Sequence, residues 1–276
     1  MPPPRAGWGT DVSESSVAAA SGTPTRTFVL VHGGFHGGWC WAKAAALLRA
    51  NGHTVYTPTQ TGCGERSHLL SAAITMDTFV DDIANVLLWE DLYDVVLVGH
   101  SFGGIAISGV ADRLPARVRL LVYLDSLIVP GGKSAFDQLD PEVVQSRIEA
   151  ARATGGLAIP APPAALFGLS DTAQIAAVEA RLTPHPLGAY NSPLHLKHPL
   201  GNGLPAVYVH CTRPSYAGLA ASRAWVAASG MAEVELAACH DAMISSPHET
   251  AALLERLASA PGSAAPDAGT AHSPAP

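Results

Sequence analysis

The stretch Asp94-Val-Val-Leu-Val-Gly-His-Ser-Phe-Gly-Gly104 constrains the fold of this chain more than any other. Val95 to Val98 is a β-branched apolar run that reads as a buried strand. It stops at Gly99-His100-Ser101-Phe102-Gly103, a G-x-S-x-G pattern, and an apolar helical segment runs from Ile105 to Ala111. Strand, pentapeptide and helix in that order predict a bend so tight that the serine is held in a strained conformation with its hydroxyl exposed. Glycine is needed on both sides, because a Cβ at either flank would collide with the neighbouring strand or helix. Ser101 then stands at the positive N-terminal end of a helix. The rival reading, a Gly/Ser-rich turn that matches by chance, leaves the flanking strand and helix unexplained.

Other segments repeat the alternation of strand and helix. Thr27 to Val31 (TFVLV) reads as a buried strand that ends in His32-Gly-Gly-Phe-His-Gly-Gly-Trp39. Trp41 to Ala50 is helical in pattern, with Gly52 where a stop belongs. Val55-Tyr56 falls in a second strand, and a helix is expected from Met76 to Trp89 with Thr75 as its N-cap. Further strands are expected at Val118–Tyr123, Pro205–Cys211 and Val234–Ala237, and helices at Tyr216–Ala228 and His248–Leu257. Leu127 to Gly203 carries no strand signal and contains Pro- and Ala-rich pieces. The expected class is α/β, a mostly parallel sheet with helices on both faces.

Composition narrows the function. The 276 residues are 48% hydrophobic and 14% charged, enough for one large core, and the net charge of −7 comes without a Lys/Arg cluster. Nucleic acid and anionic membrane surfaces are therefore not expected partners. Cys40, Cys63, Cys211 and Cys239 are scattered without a C-x-x-C pair, which suits reduced thiols in the cytoplasm. Residues 1–26 and 260–276 are rich in Pro, Ala, Ser and Gly and read as disordered extensions. No apolar run is long enough to span a bilayer, and no secretory signal is recognisable.

Ligands of parallel sheets bind beyond the carboxyl ends of the strands, and four groups of interest fall there: His32 to Phe35, Ser101, Asp125 and His240. A serine hydroxyl needs an adjacent base, and His240, after the last strand and after the serine in chain order, is the best candidate. His100 lies inside the bend and is expected to point away; His32 suits a structural hydrogen bond. The backbone N–H of Phe102 is one expected oxyanion donor, and the second comes from the His-Gly-Gly loop, Gly34 first and Phe35 next. A phosphate cradle is excluded, because neither G-x-G-x-x-G nor a Walker lysine follows the first strand. Asp125 closes the strand after the serine's helix and is the expected acid partner of His240; its alternative role is an N-cap. Asp241 is expected to point elsewhere, and Arg213-Pro214 offers no carboxylate.

On FVLVHGGFHGGWCW, VVLVGHSFGG and CHDAMISSPHE, the chain from about Phe28 to Leu257 resembles the α/β-hydrolase superfamily. Within it the chain looks like the small-esterase branch related to plant methylesterases and hydroxynitrile lyases. TQTGCGERSHLL and LVYLDSLIVPGG are similar to a bacterial subgroup of that branch. Plant members place the catalytic aspartate where this chain has Pro214, so Asp125 would have to substitute. The lyases' lysine and threonine correspond here to Asp241 and Gly33, which disfavours cyanohydrin cleavage. The resemblance implies a core of residues 27–126 and 204–259, with 127–203 inserted as a cap over the site. Phe35, Phe102 and Leu127 are its expected apolar lining.

The expected activity is that of a cofactor-independent, metal-free serine carboxylesterase acting through an acyl-enzyme on small or medium esters. The expected partner is a small-molecule ester, and a homodimer is admitted without being required. Two alternatives stay open: a lyase or cofactor-free oxygenase on the same scaffold, and a non-catalytic small-molecule binding protein.

Overall fold

A computed structural model describes residues 24–260 of the chain. The expected extensions at 1–26 and 260–276 lie almost wholly outside the described residues. Six strands form one sheet: β1 (Thr27–Val31), β2 (Thr54–Tyr56), β3 (Val95–His100), β4 (Val118–Leu124), β7 (Ala206–Cys211) and β8 (Ala232–Leu236). Their order is β2-β1-β3-β4-β7-β8, and every pairing is parallel. Two two-residue strands, β5 (Ala158–Ile159) and β6 (His185–Pro186), make a separate antiparallel ladder. That ladder lies in the segment for which no strand was expected. Two residues cannot express an alternating pattern.

The central strands are buried on both faces, so they read as unbroken apolar runs. Their side chains nevertheless divide with period two. Val29, Val31, Leu97 and Tyr123 join one core, with Phe79 and Ile83 of helix α2 (Met76–Trp89) and Ile105 of helix α3 (Gly103–Arg113). Phe28, Leu30, Val96, Val98 and Val122 join the other, with Leu48 of helix α1 (Ala42–Ala50) and Leu254 of helix α9 (Pro247–Ser259). Helix α2 begins where expected: Thr75 is extended, and its N–H donates to Thr78 Oγ1 at 3.1 Å.

From β1 the chain goes to β2 on one side and then to β3 on the other. The loops leaving β1 and β3 therefore diverge above adjacent strand ends, which opens a crevice there. The segment between β4 and β7 holds helices α4 (Pro141–Ala151), α5 (Thr172–Glu179) and α6 (Leu187–Asn191) besides the β5–β6 ladder. Helices α7 (Ala220–Ser229) and α8 (Ala242–Ser245) complete the described chain. No helix among the described residues is long and apolar enough to cross a membrane.

Candidate active site

The bend after β3 has the geometry its glycines foretell. Ser101 has φ +51°, in the left-handed region that L-residues rarely occupy. A Cβ on Gly99 would lie 2.8 Å from the carbonyl oxygen of Gly103, and one on Gly103 would lie 2.6 Å from that of His32. Backbone hydrogen bonds hold the bend from both sides: Ser101 N–H donates to Leu124 O at 3.2 Å, and Leu127 N–H donates to Ser101 O at 2.9 Å.

Ser101, His240 and Asp125 come together. His240 Nε2 lies 2.9 Å from Ser101 Oγ, and His240 Nδ1 lies 2.6 Å from Asp125 Oδ2. Asp125, at φ +41°, is fully buried. Its other carboxylate oxygen accepts the Cys211 N–H at 3.3 Å, and its own N–H donates to Val209 O at 2.7 Å. Strand β7 thus holds the carboxylate at the end of β4, and the N-cap alternative finds no support. The His240 ring lies flat against Tyr216, with centroids 4.2 Å apart and planes inclined by 17°.

Four other buried histidines fix the surrounding loops. His32 Nδ1–H donates to Gly33 O at 2.8 Å, and its Nε2 accepts the Gln60 N–H at 3.0 Å. That is a neutral ring, and burial accordingly lowers its pKa to about 4. His100 turns away from the serine, and its Nε2 lies 2.9 Å from the backbone oxygen of His240. Burial, with the neighbouring His240, holds its pKa well below the usual imidazole value.

His36 differs, because both its ring nitrogens face acceptors: Nδ1 faces Gly34 O at 2.8 Å and Nε2 faces Asp241 Oδ2 at 3.2 Å. Only the imidazolium can donate at both positions. Burial opposes that charge, but Asp241 and the Gly34 carbonyl together outweigh it and raise the pKa. Asp241 is likewise depressed: the His36 charge and hydrogen bond overcome its burial. Asp241 therefore serves an ion pair and leaves His240 to Asp125.

The loop after β1 is clamped at one peptide. Its carbonyl, Gly34 O, accepts from His36, and its N–H, that of Phe35, donates to His185 Nδ1 at 3.2 Å. Phe35 sits at φ +69° under this restraint. The Phe35 N–H is thus spent within the protein, which corrects its expected role as an oxyanion donor. The N–H groups of Gly34 and Phe102 have no acceptor among the described residues.

A cavity of about 260 Å³ opens above Ser101. Phe35 and His240 line it, together with Arg147, Ile159, Leu166, Phe167 and Tyr190 from the segment between β4 and β7. Leu127 and Phe102, expected in the lining, belong instead to the core. Leu127 is drawn inward by its backbone bond to Ser101, and the Phe102 ring packs against Tyr190 and His185, at 4.5 and 4.6 Å between centroids. Sequence reasoning did not find Arg147, Tyr190, His185 or Tyr216: the first three stand in stretches without motif or periodicity, and Tyr216, expected to open a helix, instead precedes α7 and stacks on His240. His36 had a signal, the second His-Gly-Gly of its loop, whose use depends on a partner 205 residues away. Among the described residues, no group of three or more His, Cys, Asp or Glu could hold a metal ion.

Known proteins similar to this chain include hydrolases. A "Carbendazim hydrolyzing esterase" from Nocardioides sp. (strain SG-4G) is 42% identical over 178 residues, covering 61% of this chain and 73% of that protein. "Putative methylesterase 11, chloroplastic" from Arabidopsis thaliana is 33% identical over 123 residues, 44% of this chain but only 32% of its own length. Among solved structures, an extracellular α/β-hydrolase from a Paenibacillus species superposes with TM-score 0.74 at 27% identity, over 84% of this chain and 98% of that one. It is described as sharing structural and functional homology with tobacco salicylic acid binding protein 2. The family model for the alpha/beta hydrolase family matches residues 28–253, and with the parallel sheet and the bend after β3 this establishes that the chain belongs to the alpha/beta hydrolase family.

Proposed function

We propose that this hydrolase is a serine carboxylesterase that works through an acyl-enzyme. The supporting observation is the unbroken chain from Ser101 Oγ to His240 Nε2 at 2.9 Å and from His240 Nδ1 to Asp125 at 2.6 Å. The esterase names of its relatives favour the same reaction. Ser101 Oγ attacks the ester carbonyl while His240 Nε2 takes its proton. The oxyanion that forms is held by the free N–H groups of Gly34 and Phe102, each of which typically contributes 10²–10³ in rate. His240 returns the proton to the leaving alcohol, and water then releases the acid by the reverse sequence. Asp125 keeps the Nδ1–H tautomer, which leaves the Nε2 lone pair facing the serine.

In this reading residues 127–203 act as the cap. They supply most of the cavity wall, whose volume lies at the small end for ligand pockets and suits a small ester. The lyase alternative is weakened because Asp241, where those enzymes carry a lysine, is committed to His36. Two measurements test the proposal: hydrolysis of p-nitrophenyl butyrate, and covalent labelling by a fluorophosphonate. Both are expected at Ser101 and both should vanish in Ser101→Ala. Turnover that survives the substitution would refute the nucleophile.

A further inference from the structure

Arg147, on α4, carries the one full-time charge in the wall of the cavity above Ser101, and no carboxylate lines that cavity. None of the described acids pairs with it, although Arg152, one turn further on, is paired with Glu149. Its guanidinium lies over the ring of Tyr190, 5.0 Å from the centroid. The hydroxyl of the same tyrosine reaches the oxyanion loop, where a Cβ on Gly34 would stand 3.2 Å from it. A single tyrosine side chain therefore spans the distance from the guanidinium to the loop that receives the ester carbonyl.

The remaining polar wall groups offer donors. Burial raises the pKa of Tyr190 and Tyr216, so both phenols keep their protons at neutral pH. A half-buried guanidinium, stacked on an aromatic face and facing a site without acids, presents a planar fork of donors to whatever enters. The matching group is a carboxylate, which can accept two parallel N–H···O bonds.

Resting on the esterase reading, we infer that Arg147 forms a carboxylate subsite, so that the preferred substrates are esters bearing a second, free carboxylate a few bonds from the scissile carbonyl. Hemiesters of short dicarboxylic acids have that form. The carboxylate docks on Arg147 above Tyr190, which leaves the ester carbonyl beside Gly34 and within reach of Ser101. Hydrogen bonds to charged groups of this kind are worth about 10- to 100-fold in selectivity.

The test compares monomethyl glutarate with methyl valerate, acid release being followed by pH-stat. The intact chain should prefer the glutarate in kcat/KM, and Arg147→Gln should lower the ratio of the two by about 10- to 100-fold. Arg147→Lys should retain part of the preference, and Arg147→Glu should invert it. Hydrolysis of both esters with a ratio insensitive to residue 147 would overturn the subsite and leave the esterase reading intact. A second arm needs no turnover: monomethyl glutarate is titrated calorimetrically into Ser101→Ala and into Ser101→Ala with Arg147→Gln. Binding at least 10-fold weaker without the arginine supports the subsite even if the intact chain hydrolyses neither ester, an outcome that would sink only the esterase reading. Equal binding by the two variants overturns the inference.

Discussion

At the scale of single residues the site divides its two adjacent acidic candidates by what lies opposite each. Asp125 faces His240 Nδ1 at 2.6 Å, whereas Asp241, next to His240 in sequence, faces His36 at 3.2 Å. The division predicts different failures. Asp125→Asn leaves the shape but permits the wrong imidazole tautomer, and kcat on p-nitrophenyl butyrate should fall by on the order of 10⁴. Asp241→Asn leaves a buried imidazolium without its counter-charge, and breaking such a pair typically costs about 3–5 kcal/mol. Its main effect should therefore be a lower denaturation midpoint, with far less than the 10⁴-fold loss in rate. Urea titration beside steady-state kinetics checks both, and a rate loss that fell on the Asp241 variant instead would reverse the assignment. Asp125 was legible from its place at the end of a strand. Asp241 was expected to point elsewhere, but its partner was not legible, since His36 comes from a loop near the start of the chain.

At the scale of elements, the loops above the sheet are locked to one another through buried imidazoles rather than through longer strands. His100, from the end of β3, meets the backbone of His240, and His36, after β1, meets Asp241. The bend between β3 and α3 is tight, because a Cβ on Gly103 would meet the His32 carbonyl at 2.6 Å. Gly103→Ala should therefore cost about 1–3 kcal/mol, as overpacking does. It should also slow fluorophosphonate labelling, because the carbonyl that must yield begins the loop whose Gly34 N–H is proposed to hold the oxyanion. Undiminished stability and labelling in that variant would mean that the bend is looser than its contacts indicate. The strands were legible because central parallel strands need continuous apolar runs, and β1, β3, β4 and β7 each supply one. The segment between β4 and β7 was not, because its ladder pairs only Ala158–Ile159 with His185–Pro186. The cavity-lining Arg147 and Tyr190 are set by tertiary packing that leaves no periodic trace.

For the molecule as a whole, the same imidazoles set its response to acid. His32, His100 and His185 are each held neutral, burial being the largest cause in all three. In the unfolded chain each would titrate near about 6.5. Below that pH the unfolded chain binds protons that the folded chain refuses, so stability falls as pH falls. For His32, with its pKa at about 4, the loss accumulates from about pH 6.5 down to about 4 and reaches roughly 3 kcal/mol. His36 has the opposite sign: its raised pKa gives a contribution fully present below about 6.5 and lost as pH rises through the folded value. Asp241, depressed, contributes above about 3.9 and loses that contribution as pH falls through its folded pKa. Between about pH 4 and 6.5 the ion pair is therefore constant, and the three neutral rings govern the slope. Unfolding in that window should take up protons at these rings, so the free energy of unfolding should fall as the pH drops. Urea denaturation at pH 7, 6 and 5 measures the slope directly, and His185→Gln should make it shallower. A denaturation free energy that stayed level across that range would mean that these rings accept protons without unfolding.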